Sequence, residues 1–461
     1  MWNWCAAVCL LPLGLNAQVS VPQDTVPLLQ RVVSIESATR DLQALERWVL
    51  STHPAALTDD SLLIIGAVRR ATHQLQHPQS NWMFAHVVAG VLAALNDSHT
   101  GLDWRVMTQE IEATWGRFPE AVTLDGGQIH TAATGVRIDS VNHWTARAVL
   151  ENARKICSSE GGVRPSHYRR ATSLWPWVAA IPGPGVQAGE VVAWTASGAP
   201  IPMLPPAPRS AARRPSRQSG VHAHFTGAVA TLTIPSFSQG NAAHFHREIN
   251  RFFRKVRRKK VEGMVIDVRG NTGGLASRME SVAEHLICEP ERLMQQLDYR
   301  NTAQAREAFA PAFDAAGPRQ RERWARRDRW AAWRLEVDTL SEGELWKGTL
   351  RDLQPRRSSF SGPVAVLVDG STASTAAHFA MWVDLAPHRT AVGEPALTSL
   401  HGTGAHAASW SLPSSGLPIR CSTMRVWVTT GASWNVGQWM PGAVCPHLAA
   451  PETALEWLQS L

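Results

Sequence analysis

Apolar residues between Asp41 and Asn96 recur every three to four positions, as Leu42, Leu45, Trp48 and Val49 in one run and Phe84, Val87, Val88, Val91, Leu92 and Leu95 in another. That spacing predicts amphipathic helices gathered into a small bundle. The next stretch, FPEAVTLDGGQIHTAATGVRIDSVNHW, alternates short apolar runs with Gly, Asp and Asn. It predicts strands joined by tight turns. A helix over residues 146–156 and a strand over 190–196 follow, and then a stretch at 198–220 rich in Pro, Ser, Ala and Arg, which predicts a surface loop or linker. Beyond it the order changes. GAVATLTIPSF reads as a strand, and Phe245, Ile249, Phe252, Phe253 and Val256 line one face of a helix. GMVIDV and PVAVLVDG are continuous apolar runs of the kind that buried parallel strands need, since such strands are covered on both faces. A helix over 373–384 and a strand at RTAVGE complete an α/β pattern, while the Arg- and Ala-rich residues 301–333, with scattered Trp, predict a helical insertion.

Composition bounds this picture. With 461 residues, 44% hydrophobic and 18% charged, the chain is too apolar to be a disordered polymer. At roughly 150 residues per domain it holds about three domains. The first 17 residues, MWNWCAAVCLLPLGLNA, carry no charge and end in small residues, which reads as a signal peptide cleaved after Ala17; a buried N-terminal strand is the alternative. The run is shorter than the ~20 residues of a spanning helix, so no integral membrane segment is expected after its removal. The compartment is then periplasmic or extracellular. Cys157, Cys288, Cys421 and Cys445 remain, either as bridges or as isolated thiols; no C-x-x-C occurs, and no zinc site is expected. The net charge of +7 comes from 40 Arg and only 5 Lys against 38 acids.

Three segments bear chemistry: Asn96-Asp97-Ser98-His99-Thr100 after the helical bundle, Asp267-Val268-Arg269-Gly270-Asn271-Thr272-Gly273-Gly274 after one buried strand, and Asp369 to Ala380 after another. A Ser where a strand turns into a helix can project its hydroxyl into a cleft faced by the unpaired amides of the helix start. A Gly-rich turn beside it lets backbone approach a substrate carbonyl. Serine is a weak nucleophile at neutral pH and needs a base within hydrogen-bond reach, for which His99 is the candidate. Taken singly, Ser374 is more often a helix cap, RGNTGG fits an ordinary turn, and His99 is more often a structural or surface histidine than a base.

Together the segments resemble the C-terminal processing (tail-specific) peptidases, in the branch similar to the tricorn core and the interphotoreceptor retinoid-binding protein repeats. VIDVRGNTGG resembles that family's strand followed by Asp-Leu-Arg-Gly-Asn-x-Gly-Gly, Thr372 to Ala377 its Thr-x-Ser-Ala-Ala-Glu, and Asn96 to Thr100 its Gly-Asp-x-His-Thr. Fainter echoes lie in DLQALERWVLSTHP, GVRIDSVN and SLPSSGLPIRCS. The resemblance implies a multidomain α/β protein: a helical N-terminal domain over 18–103, a degenerate PDZ-like β-rich module over 104–220, and an α/β catalytic domain of ClpP/crotonase-like type over 221–461. It implies a serine endopeptidase with Ser374 as nucleophile, His99 as general base and Ser98 as its orienting partner. Gly273, Gly274 and the Thr375 amide would hold the oxyanion. It implies no cofactor and no metal, and a polypeptide as the partner.

Departures narrow the mechanism. No Lys follows Lys347, and Ser399 stands where a Ser/Lys dyad would place its Lys, so only the His-dependent branch remains. The acids that branch expects are replaced by Ala377, Gly437 and His447, leaving Glu394 and Asp97 as candidate orienting acids. The alternative is a catalytically inactive homologue that binds peptides or unfolded chains by strand addition. A third reading, a polyanion-binding protein, rests on RFFRKVRRKK. Residues 209–260 hold 12 basic residues and one acid, but the interleaved Phe residues sit at core spacing, so a solvated helix face is expected and no nucleic-acid partner.

Overall fold

The computed structural model describes residues 26–54, 61–115, 122–125, 127–131, 134–142, 144–158, 160, 168, 171, 192–195, 197–202, 220–309, 313, 315–326, 328–357, 359–398, 403–428 and 439–461. The expected signal peptide, most of the expected linker, Ser399 and Gly437 lie outside the described residues. The chain divides into two compact units, one formed mainly by residues 214–405 with 424–461, the other by 18–213 with 406–423.

In the first unit a six-stranded sheet runs in the order His222–Thr226, Val229–Thr233, Gly263–Asp267, Val364–Val368, Arg389–Gly393, Ala443–Val444. The first pair is antiparallel and every later pair parallel. The apolar runs that predicted buried strands are explained by what covers each face. Met264, Ile266, Val364, Val366 and Val368 face the large core with the helices Ala242–Lys259, Ala276–Ala283 and Thr375–Asp384. The alternate residues Val265, Ala365, Leu367 and Val392 pack against Ala450 and Ala454 of the Ala450–Gln459 helix. Period-two alternation thus divides one strand between two cores, and both must be apolar. The crossover helices return each strand parallel to its predecessor, so the loops leaving Thr233, Asp267, Val368 and Gly393 gather at the carboxyl edge, where open α/β sheets build their sites.

The Ala242–Lys259 helix buries Phe245, Ile249, Phe252, Phe253 and Val256. At about 2 kcal/mol per buried aromatic or aliphatic side chain, this packing outweighs any electrostatic term in placing the helix. Its Arg257, Arg258 and Lys259 fall in the last turn, where cations complement the helix dipole, and Lys255 and Lys259 lie over the Phe225 ring at 4.5 and 5.6 Å. The expected solvated basic face is what forms. The expected helical insertion comprises Ala303–Phe309, Pro318–Ala325 and Arg329–Val337, with Trp333 buried edge-on to Tyr299 at 5.1 Å.

The second unit contains the helices Ile35–Thr52, Ser61–Gln74 and Asn81–Ala93, the first and third capped by the side chains of Ser34 and Ser80. Helix Trp104–Trp115 follows, which the apolar pattern did not predict. An antiparallel sheet comes next in the order Val122–Asp125, Gln128–Thr131, Arg137–Val141, Val192–Thr195, Pro200–Pro202, with the Thr145-capped helix Ala146–Ile156 against it. The buried Asp41 carboxylate accepts the amides of Ser414 and Ser415, at 2.8 Å each, which ties residues 406–423 into this unit. Cys157, Cys288, Cys421 and Cys445 are all free thiols, which settles the open choice against bridges among these four. Among the described residues no helix is long and apolar enough to cross a membrane.

Candidate active site

Ser374 ends the turn that leaves strand Val364–Val368 and occupies the cap position of helix Thr375–Asp384. Its side chain makes no capping hydrogen bond, and its backbone sits at φ 51°, ψ −130°. This region costs a non-glycine residue about 1–3 kcal/mol and persists only where the surroundings over-determine it. They do so here. The Ser374 N–H donates to Thr398 Oγ1 at 2.7 Å, its carbonyl accepts from His378 N–H at 2.9 Å, and the preceding Ala373 N–H donates to the Asn271 carbonyl at 3.0 Å. A serine held away from the capping role, at a sharp strand-to-helix turn, has the posture of a nucleophile.

The scaffold of that turn is Asp369. Its Oδ1 accepts from the amides of Gly270, Ser371 and Thr372 at 2.9–3.0 Å and from Thr372 Oγ1 at 3.1 Å, which locks the RGNTGG turn to the Ser374 turn. Asn271, fully buried, donates through Nδ2 to the Ile234 carbonyl and accepts the Gly273 N–H at 2.9 Å. Arg269 grips Asp267 through both oxygens and donates to the His447 carbonyl at 2.9 Å; the Asp267 pairing raises its pKa. Sequence reasoning overlooked Asp369, Asn271 and Thr398 as scaffold, although Asp-Gly-Ser-Thr is a side-chain-to-backbone turn signature.

The two glycines are needed for space. Gly273 has φ +98°, and a Cβ there would lie 2.8 Å from Ser374 Cβ and 2.9 Å from the Ala373 oxygen. At Gly274, φ +138°, it would lie 2.4 Å from the Phe237 carbonyl carbon and 2.5 Å from the Ser238 nitrogen. Their amides differ. The Gly273 N–H is taken by Asn271, whereas those of Gly274 and Thr375 have no hydrogen-bond partner among the described residues. Thr375 Oγ1 donates to the Gly274 carbonyl at 2.8 Å and couples the two segments. Glu394 Oε2 accepts the Gly370 amide at 3.2 Å, so this candidate acid braces the turn. Ala377 is fully buried in the apolar core, and His447 Nδ1 lies 3.3 Å from Asp369 Oδ2.

His99 belongs to the second unit. After helix Asn81–Ala93, Asn96 at φ 49° reverses the chain, and Asp97 fixes the next residues. Asp97 Oδ1 accepts the His99 backbone N–H at 2.9 Å, and Oδ2 accepts Thr100 Oγ1 at 2.6 Å and lies 2.9 Å from His53 Nε2. Burial works against ionisation of this carboxyl. The His53 hydrogen bond and charge, the His99 charge and Ser422 outweigh it and hold the pKa below the usual range. The His99 ring is a quarter exposed, with Nδ1 3.1 Å from Ser98 Oγ. Ser98 Oγ in turn donates to Glu160 Oε1 at 2.5 Å. Nothing in the sequence marked Glu160, because its partner lies 62 positions away. Asp97, His99 and Glu160 bring three potential ligand atoms within 4.8 Å of one another, but the oxygens of Asp97 are already committed to N–H and O–H donors.

Residues 228–437 match peptidase family S41. The carboxy-terminal processing protease CtpB of Bacillus subtilis (strain 168) is 33% identical over 75 residues, 16% of this chain and 14% of that protein, so the alignment spans about a seventh of the relative's length. The fold is similar to that of mature CPAF, with a TM-score of 0.59 at 14% identity over 92% of this chain and 96% of that one. CPAF complexed with lactacystin gives 0.60 at 13% identity, over 92% and 97% of the two chains. Both turns of the site lie inside residues 228–437, the segment that is similar to peptidase family S41.

Proposed function

We propose that the protein is an exported serine endopeptidase that hydrolyses peptide bonds with Ser374 as nucleophile and His99 as general base. The observation that carries the reading is the Ser374 backbone at φ 51°, ψ −130°, with no capping hydrogen bond from its side chain, beside the amides of Gly274 and Thr375, which have no hydrogen-bond partner among the described residues. Ser374 Oγ attacks the carbonyl carbon of a bound polypeptide and His99 Nε2 takes the proton. The oxyanion receives the Gly274 and Thr375 N–H groups, and Gly273 serves by admitting the backbone rather than by donating. His99 returns the proton to the leaving amine, and water then clears the acyl-enzyme by the same route. Export rests on the charge-free residues 1–17.

A fluorophosphonate probe tests this. Wild-type protein is expected to be labelled and Ser374→Ala not, with equal circular dichroism. Absence of labelling in folded wild type would favour the peptide-binding homologue, a reading supported by the apolar surroundings of Ala377 and the engagement of His447 with Asp369.

A further inference from the structure

We propose that Glu160 is the positioning carboxylate of this site, acting on His99 through the Ser98 hydroxyl; the inference rests on the assignment of His99 as base. The argument is one of proton inventory. A serine hydroxyl has a single proton to donate. Ser98 spends it on Glu160 Oε1, at 2.5 Å, so toward His99 Nδ1, at 3.1 Å, its oxygen accepts. The ring is thereby fixed with hydrogen on Nδ1 and an unprotonated Nε2, the tautomer a general base requires. Glu160 is 3% exposed, and its Oε1 lies 3.8 Å from His99 Nδ1, near enough to stabilise the imidazolium that forms when the base takes a proton.

Asp97, the other carboxylate near the ring, does a different task. Its Oδ1 is also 3.8 Å from Nδ1 but is bound to the His99 backbone N–H, while Oδ2 is engaged with Thr100 and His53. His406 also interacts with His99, but burial first and the His99 charge second lower its pKa to about 4, so it is neutral at pH 7 and does not oppose the imidazolium. Glu160 is therefore the acid whose described side-chain bond leads to the ring. It compensates, from a different part of the chain, for the acids that Ala377, Gly437 and His447 replace.

The test is the His99 imidazole titration, followed by NMR, together with the rate of fluorophosphonate labelling in wild type, Glu160→Gln, Glu160→Asp, Ser98→Ala and the Glu160→Gln/Ser98→Ala double variant. Glu160→Gln is expected to lower the His99 pKa by about one unit and to slow labelling at pH 7 by about 10- to 100-fold. Glu160→Asp should recover part of both. In the Ser98→Ala background the glutamate substitution should slow labelling little further, because the relay is already cut. Fully multiplicative effects, or an unchanged His99 titration, would overturn the proposal. So would a requirement for added Zn²⁺ that Glu160→Gln removes, since the three side chains would then be ligands. If wild type is never labelled the peptidase reading fails, whereas the titration still reads the Glu160 relay.

Discussion

Ser374 and the two glycines beside it show what a single residue contributes here. The backbone at Ser374 is strained, and the strain is balanced rather than relieved by the bonds its N–H gives to Thr398 Oγ1, its carbonyl takes from His378 N–H, and the neighbouring Ala373 N–H gives to the Asn271 carbonyl. Gly274 is the sharpest steric constraint in the turn, because its missing Cβ faces backbone atoms of Phe237 and Ser238 that cannot rotate away. Gly274→Ala is expected to cost about 3 kcal/mol or more, measured as a shift in urea midpoint, and to abolish labelling. A stability change within 0.5 kcal/mol, the usual range of a neutral surface change, would show that the turn is not held as described. The residue types were legible in advance: VIDVRGNTGG and Thr372 to Ala377 marked the two turns. The division of labour within them was not, since only the bond from Gly273 N–H to Asn271 separates the space-making glycine from the donating one.

At the scale of elements, each segment proposed to be catalytic is the exit of a regular structure whose pattern the sequence displays. GMVIDV and PVAVLVDG are apolar without interruption because the sheet is covered on both faces, which places the turns after Asp267 and Val368 at the carboxyl edge. The exit of helix Asn81–Ala93 is less legible, because its geometry is set by a buried carboxylate rather than by periodicity. Asp97 pairs with His53, 44 positions earlier, and with the Thr100 hydroxyl. Asp97→Asn is expected to destabilise the protein by about 3 kcal/mol at pH 7, as breaking a buried pair does. Folding holds the Asp97 pKa below its unfolded value, so its contribution is fully present above about pH 4 and is lost as the pH falls toward the native pKa. Melting curves of the two proteins should therefore converge in acid. A gap that stays constant down to pH 2 would contradict the assignment. Helix Trp104–Trp115 escaped notice for a related reason, since its buried Met107 and Ile111 are too sparse among polar residues to stand out as a stripe.

At the scale of the whole molecule, the net charge of +7 resolves into a local excess. Residues 209–260 carry 12 basic side chains and one acid, and the described part of that excess lies on the open face of one helix, whose Phe residues are buried. The basic run is thus accounted for by helix packing and the helix dipole. The proposed catalytic assignment takes Ser374 as nucleophile and His99 as base. Its central claim is that the histidine activates the serine, and the pH dependence of fluorophosphonate labelling, with the adduct located by mass spectrometry, tests that claim most directly. The account predicts a single adduct at Ser374, formed at a rate that rises with pH through one ionisation that is lost in His99→Ala, with His99→Ala slowed at least about 100-fold. A rate independent of both pH and His99, or an adduct on any other residue, would contradict it.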